Sequence, residues 1–514
     1  MWGFCLDNEG CAISYIAMST TIIHGDCLEE LKKLEDNSVD AVVTDPPYGL
    51  SNTKPQQVAD VLKAWATGDT KVVPAGKGFM NASWDSFVPP PAVWEECMRV
   101  LKPGGHMAVF AGARTQDLMG LSIRLAGFEI RDTLGWIYGS GFPKSMDISK
   151  AIDKIGARPK ETVVKLKAEL RQVFDASGMT LSELNTRCGF EASGYLRTSS
   201  TWAELFPLHE KWAVMREVIG SDTDFSDEFK AAEREVIGKK QWTNSANHFI
   251  PGEDHTQRVK LDVTAPATSG SQKWDGWGTS LKPAIEPILL CRKPLDGTVA
   301  NNVLAHGVGG LNIDACRVQT DDNTQRVSNA GTSGDGWGMG KSYHINGGSP
   351  AGRFPANVLL DEHAAKEMDK QSGNVRGVIG MKKVSGGHNF NIGEHTPQKF
   401  NKTSGQIKDS GGASRFFPVF KYQAKAPKKE RPVVEREDGT KIQHPTVKPL
   451  TLLEWLVELI TPPGGVVLDP FAGSGTTLQA ALNKGFTPIG IEQDADYIKL
   501  IEKRLEATCT THKN

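Results

Sequence analysis

Apolar and polar positions along this chain follow one rhythm at the two ends and another in the middle. From Thr20, "TTIIHGD" reads as a strand, "CLEELKKLE" as a helix and "DAVVTDPPY" as a second strand. Leu28, Leu31 and Leu34 recur at helical spacing, which puts them on one face. Next, "PAVWEECMRVLKPGGHMAVFAG" predicts a helix stopped at Gly104 and Gly105, followed by a strand. "LMGLSIRLAGFEIRDTLGWIYG" repeats helix, glycine and strand. The C-terminal stretch runs strand and glycine loop ("GGVVLDPFAGSGTT"), helix ("LQAALNKG"), strand ("FTPIGIEQD") and helix ("ADYIKLIEKRLEA"). In that last helix Asp494 is placed to cap, and Tyr497, Ile501 and Leu505 form an apolar stripe. Alternating strands and helices predict an α/β fold with a doubly wound, mostly parallel sheet. Neither end has enough strands alone, so both are expected to build one sheet with the middle inserted.

Residues 146–278 are helical by period. Within them "MTLSELNTRCGFEASGYLRTS" has the look of a helix–turn–helix, with Gly189 at the turn and Tyr195 and Arg197 on the second helix. Either it touches DNA or it is a pair of packed helices; the pattern leaves both open. Residues 297–440 are rich in Gly, Asn, Ser and Lys, as in loops that stay mobile or order on a partner. "REVIG" occurs twice, at 216–220 and 234–238, but at no regular period that would make a solenoid.

Composition adds exclusions. The chain has 514 residues, is 39% hydrophobic and 23% charged, and has a formal net charge of -2, so any basic surface must be local. Eight cysteines are scattered without a CxxC pair or a His cluster at zinc spacing, which predicts a reducing, cytoplasmic setting and no metal site. No apolar run is long enough for a membrane span. Residues 1–17 carry acids and no basic signal region, and read as an extension ahead of a natural start at Met18.

Two stretches carry the chemistry. In "LDPFAGSGTT" a strand ends at Asp469, and Gly473 and Gly475 permit a tight turn and close backbone approach to a ligand. Leu478 stands where a dinucleotide fingerprint needs its third glycine, and no Walker lysine follows. About twenty residues on, Glu492 ends the next strand, where an acid suits a ribose diol. In "TDPPYGL" an apolar strand stops at Asp45, Pro46, Pro47 and Tyr48.

Together with "GDCLEEL" and "HPTVKPLTLLEWLVELITPPGG", these two stretches resemble the S-adenosylmethionine-dependent DNA amino-methyltransferases. The order, DPPY first and glycine loop last, resembles their circularly permuted beta group, in which target recognition lies between the halves. The resemblance covers 20–145, 279–296 and 441–514. The middle is similar to loop-rich parts of phage and prophage adenine methyltransferases ("TSLKPAIEPILLCRKPL", "GRFPANVLLDE", "RFFPVFKYQAKAPKKER"). It implies a Rossmann-like class I methyltransferase fold, divided into a first catalytic part at 18–145, a helical insert at 146–278, a catalytic strand at 279–296, a target-recognition region at 297–440 and a cofactor-binding part at 441–514.

The resemblance also assigns roles. Asp45 and the Pro46 carbonyl would accept the two N–H groups of an exocyclic amine, favouring a tetrahedral, more nucleophilic nitrogen. Pro46 and Pro47 have no N–H to donate and help point that carbonyl outward. Tyr48 would stack on the extruded base, worth about 1–3 kcal/mol. Asp26 would meet the cofactor's adenine, Asp469, Phe471, Gly473 and Gly475 would frame its methionine part, Glu492 would take the ribose, and Thr446 and Lys448 would flank its carboxylate end. Lys421, Lys425, Lys428, Lys429 and Arg431, interleaved with aromatics, would track phosphates, joined by Arg197.

The implied reaction is methylation of adenine N6 in double-stranded DNA by base flipping and direct displacement, as in phage or restriction–modification systems. Dimers occur in such enzymes, and a cognate restriction endonuclease would be a separate chain, since no nuclease motif is evident. Cytosine-N4 methylation is the nearest alternative. Methylation of protein or RNA, or a DNA-binding regulator with an inert methylase fold, are the others.

Overall fold

The computed structural model describes residues 12–15, 20–76, 78, 83–139, 141, 145–156, 160–196, 209–221, 236–243, 258–266, 268–320, 351–376, 410–420, 431–436 and 438–511. The chain divides into two compact units, Met1–Gly141 with Ala284–Asn514, and Phe142–Pro283.

The first unit is built on a ten-stranded sheet. In chain order its strands are β1 (Ala12–Tyr15), β2 (Thr20–His24), β3 (Val39–Thr44), β4 (Leu101–Phe110) and β5 (Glu129–Ile137). They continue with β6 (Ile285–Arg292), β7 (Val358–Asp361), β8 (Val419–Phe420), β9 (Val466–Asp469) and β10 (Thr487–Glu492). Their order across the sheet is β1-β2-β10-β9-β3-β4-β6-β5-β7-β8. The two ends of the sequence thus share one sheet, with β9 pairing in parallel with β3. The pairings are parallel except where β1 meets β2 and where β6 meets β4 and β5.

That pattern sends the C-terminal ends of β2, β10, β9, β3 and β4 to one edge. Because β6 runs against its neighbours, its first residues arrive at that same edge. β7 and β8 come from the stretch expected as target recognition and extend the sheet.

β3 is buried throughout, as a central parallel strand must be. One face of the sheet packs the helix Pro91–Val100 through Trp94, Cys97 and Val100, with Met119 and Ile123 of the helix Gln116–Leu125. The other packs the helix Leu450–Ile460 and Ala480 and Ala481 of the helix Thr476–Asn483. Asp40 links β3 to its neighbours, accepting from the Val466 amide at 2.7 Å and pairing with Lys102 at 2.6 Å.

Gly104 and Gly105 do not end a helix. The helix stops at Val100 and the glycines lie inside β4, where the pairing of Val39 with Leu101 and Ala41 with His106 requires a bulge. Gly104 has a φ of +75°, and a Cβ there would lie 2.3 Å from the Asn302 amide nitrogen.

The second unit contains the helices Ile148–Gly156, Lys160–Ala176, Leu181–Cys188 and His209–Ile219 and an antiparallel hairpin of Val236–Thr243 with Arg258–Thr264. Leu170, Phe174, Leu184, Trp212 and Met215 form its buried centre. The presumed second helix of the helix–turn–helix is instead a 3-10 turn at Ala192–Leu196. Gly189 ends the preceding helix at a φ of +71°. The Asn185 side chain binds both the amide and the hydroxyl of Ser193, satisfying the segment locally instead of continuing a helix. Arg197 lies outside the described residues.

Candidate active site

At the common edge, β3 delivers Thr44 and then Asp45, while β9 delivers Asp469. The Thr44 hydroxyl donates to Asp469 Oδ1 at 2.7 Å, joining strands 425 residues apart in sequence. Burial pushes the Asp469 carboxyl up to about 6, against the hydrogen bonds from Thr44, Thr477 and the Phe471 amide. Asp469 therefore organises the loop from within.

After it the chain turns through Gly473 at a φ of +53° and Gly475 at +76°. A side chain on either would be strained, and a Cβ would lie 3.0 Å from His444 Nε2 or from Ile501 Cγ2. Glu492, at the end of β10, accepts from the Gly473 amide at 2.7 Å and the Asp494 amide at 2.8 Å. Burial raises its carboxyl to about 7. Asp26 caps the short helix Cys27–Leu31 by accepting from the Leu28 and Glu29 amides. Phe471 turns its ring toward Trp94, 6.3 Å between centroids, and packs on the core.

A carboxylate offers about four acceptor positions and Glu492 uses two on backbone amides. The acids Asp26 and Glu492, near the ends of adjacent strands and beside a loop with glycine at 473 and 475, form an acceptor set that fits a nucleoside with a diol.

The other half of the edge is built from side-chain charges. The turn after Asp45 is fixed by Asp85, which accepts from the Gly49 amide at 2.7 Å, and by Thr115, whose hydroxyl donates to the Tyr48 carbonyl at 2.6 Å. Gly49 is required here, since its φ is +67° and a Cβ would lie 2.7 Å from the Val88 nitrogen. Tyr48 donates its hydroxyl to Asp45 Oδ1 at 2.8 Å. Lys448 Nζ donates to Asp45 Oδ2 at 2.6 Å and to the Tyr48 oxygen at 3.1 Å. The ammonium also lies 5.3 Å from the Tyr48 ring centre and 5.0 Å from that of Phe110. Burial pulls its affinity for a proton down, but Asp45 and Glu286 outweigh this and the net direction is upward. Burial, Asp45 and Glu286 hold the Tyr48 hydroxyl protonated far above the usual phenol range.

Lys448, expected beside the cofactor, is thus placed against the acid of the DPPY turn. Thr446 is exposed, and its amide meets His444 Nδ1 at 3.4 Å. His444 itself, its proton affinity pushed down to about 4 by burial, packs edge-on against Tyr497 at 4.7 Å. Of the expected phosphate-tracking residues only Arg431 is described, half-buried; Lys421, Lys425, Lys428 and Lys429 lie outside the described residues. Sequence reasoning gave no role to Glu286, His444, Asp85 or Thr115.

The N6/N4 DNA methylase family model matches residues 39–175 and 213–503, most of the chain. The chain belongs to the DNA methylase family. Among curated relatives, the putative methylase YubD of Escherichia coli is 52% identical over 64 residues, 12% of this chain and 28% of its own. The type II methyltransferase M2.DpnII of Streptococcus pneumoniae is 46% identical over 70 residues, 14% of this chain and 26% of its own. The DNA adenine methyltransferase YhdJ of Escherichia coli is 48% identical over 63 residues, 12% and 21% of the two chains. These matches span about a quarter of the relatives' lengths. Among solved structures, the cytosine-N4-specific PvuII DNA methyltransferase aligns over 96% of this methylase and 91% of its own chain, at 11% identity and a TM-score of 0.35. No helix among the described residues of this methylase is long and apolar enough to cross a membrane.

Proposed function

We propose that this DNA methylase transfers a methyl group from S-adenosylmethionine to the N6 amine of adenine in duplex DNA. The observation that carries the reading is the Thr44–Asp469 hydrogen bond, which sets the DPPY turn directly beside the glycine loop.

When bound, S-adenosylmethionine supplies an electrophilic methyl on a sulfonium, whose carbon–sulfur bond breaks as the nitrogen–carbon bond forms. Glu492 and Asp26 hold the nucleoside part, and the turn at Gly473 and Gly475 leaves room for the methionine part. On the facing side, Asp45 and the Pro46 carbonyl accept the two amine N–H groups and turn the nitrogen lone pair toward the methyl. An aromatic amine is a poor nucleophile because its lone pair is shared with the ring, so this orientation is the main contribution. Tyr48 offers its ring to the extruded base, offsetting part of the few kcal/mol that flipping costs. An aspartate at the first motif position favours adenine, as does the name of the relative YhdJ, a DNA adenine methyltransferase. Lys421, Lys425, Lys428, Lys429, Arg431 and Arg197 are the proposed phosphate contacts.

The test is transfer of labelled methyl to unmodified duplex DNA, followed by mass spectrometry of the nucleosides. N6-methyladenine is expected. N4-methylcytosine alone would move the assignment to the other amine, and label in protein or RNA but not DNA would reject it.

A further inference from the structure

Each oxygen of Asp45 already carries one donor, and one of the two is a cation. Oδ1 takes the Tyr48 hydroxyl at 2.8 Å and Oδ2 the Lys448 ammonium at 2.6 Å. A second carboxylate, Glu286, waits on the same two donors. Its Oε2 lies 3.3 Å from the Tyr48 hydroxyl and 3.5 Å from Lys448 Nζ. One phenol has one proton, so the two acids compete for it. Asp45 holds both short contacts and Glu286 both long ones.

This matters because an ammonium clamped on Asp45 neutralises the charge that should attract the amine. Of the two carboxylates paired with Lys448, Glu286 is the one left to take the ammonium if Asp45 turns away. Its backbone is fixed: β6 begins at Ile285, Trp136 pairs with Glu286 across the sheet, and the Pro287 carbonyl accepts from the Ala111 amide at 2.9 Å. Only the side chain has to move. The side chains of Asp45 and Glu286 are 21% and 25% exposed and that of Lys448 10%, so the ammonium is committed to the pair while the acids still face the open edge.

We propose that Glu286 is a positioning residue that takes over the Lys448 ammonium and the Tyr48 hydroxyl when Asp45 turns to the amine of the target base. Two acids around one ammonium also leave the pocket with one negative charge, which suits a nitrogen that becomes positive as it is methylated. The proton that nitrogen then sheds leaves to solvent. The inference rests on the reading of Asp45 given above and adds an exchange of partners to it.

Single-turnover methyl transfer to unmodified duplex DNA, with cofactor affinity measured by calorimetry, tests it. Glu286→Gln keeps the shape and removes the charge. It is expected to slow transfer tenfold or more, with cofactor affinity within twofold of the parent. Glu286→Asp should recover part of that loss, because the charge returns. A Glu286→Gln enzyme within twofold of the parent rate overturns the proposal. So does a parallel loss of cofactor affinity, or a Glu286→Asp enzyme no better than the glutamine variant; either makes the side chain a packing element. Asp45→Asn, measured alongside, separates the two readings. If it still transfers methyl, the reading of Asp45 fails; if it is dead while Glu286→Gln is normal, only the role of Glu286 fails.

Discussion

The two halves of this site are held by different forces. The half after β9 and β10 is built from backbone: two glycines at positive φ, and a Glu492 carboxylate that accepts two main-chain amides. The half after β3 is built from side-chain charge, with Asp45, Lys448, Tyr48 and Glu286 drawn from segments up to 403 residues apart. A backbone cradle is rigid and indifferent to exchange among its ligands. A charge cluster can redistribute its partners, which suits the side proposed to receive a base, act on it and let it go. The comparison implies that damage to one half should spare the other.

The sharpest way to break it is Asp45→Ala. Loss of methyl transfer by a thousandfold or more is expected, with cofactor affinity nearly unchanged in calorimetry. An enzyme that keeps its rate refutes the role of Asp45; one that loses cofactor equally refutes the independence of the halves. The reciprocal change is Gly473→Ala. It places a Cβ 3.0 Å from His444 Nε2 at a φ of +53°, where an L-residue costs about 1–2 kcal/mol. Cofactor affinity is expected to fall by about tenfold, the equivalent of roughly 1.4 kcal/mol. The rate of the saturated enzyme should be largely kept.

The difference between the halves also explains what the sequence disclosed. Gly473 and Gly475 are legible because positive φ leaves a chemical mark: few other residues tolerate it. Asp45, Pro46 and Pro47 are legible only in combination: two prolines after an apolar strand could be an ordinary turn, and it is the glycine loop elsewhere in the chain that gives them a second meaning. The part played by Glu286 is not legible, because it depends on β6 running antiparallel to both neighbours, and the run "IEPILLCR" does not state its direction. Lys448 is legible from its motif, but the contact of its ammonium with Asp45, 403 residues away, is not, since spacing along the chain says nothing of which side chains meet at the sheet edge. Gly104 and Gly105 misled for a related reason. Glycines after a helix suggest a stop, yet here they absorb a bulge within β4. β7 and β8, of four and two residues, are too short to show any period.

A finer cut through the charged half is Tyr48→Phe against Tyr48→Ala. The first removes only the hydroxyl donated to Asp45 and keeps the ring. Transfer is expected to slow about tenfold, since the hydroxyl can then no longer pass from Asp45 to Glu286, and a hydrogen bond to a charged group is worth roughly 1.5–3 kcal/mol. The second also removes the stacking surface and should cost a further tenfold or more. Equal rates for the two variants would leave the ring without a role in holding the base.

The mildest effect concerns pH in the backbone half. Burial raises the Glu492 carboxyl to about 7 from the 4.5 expected of an exposed glutamate. In the free enzyme it is therefore protonated below neutrality, whereas the unfolded chain would already have lost that proton. Between pH 4.5 and about 7 the folded state binds more protons, so this group's contribution to stability falls as pH rises through that window. Cofactor binding should move the opposite way, since two ribose hydroxyls donate best to an ionised acceptor. Affinity is expected to rise a few-fold between pH 6 and pH 8, read by calorimetry at constant ionic strength, and Glu492→Gln should flatten the profile. A pH dependence that persists in the glutamine variant would transfer the titration to Asp469, whose carboxyl burial holds up to about 6.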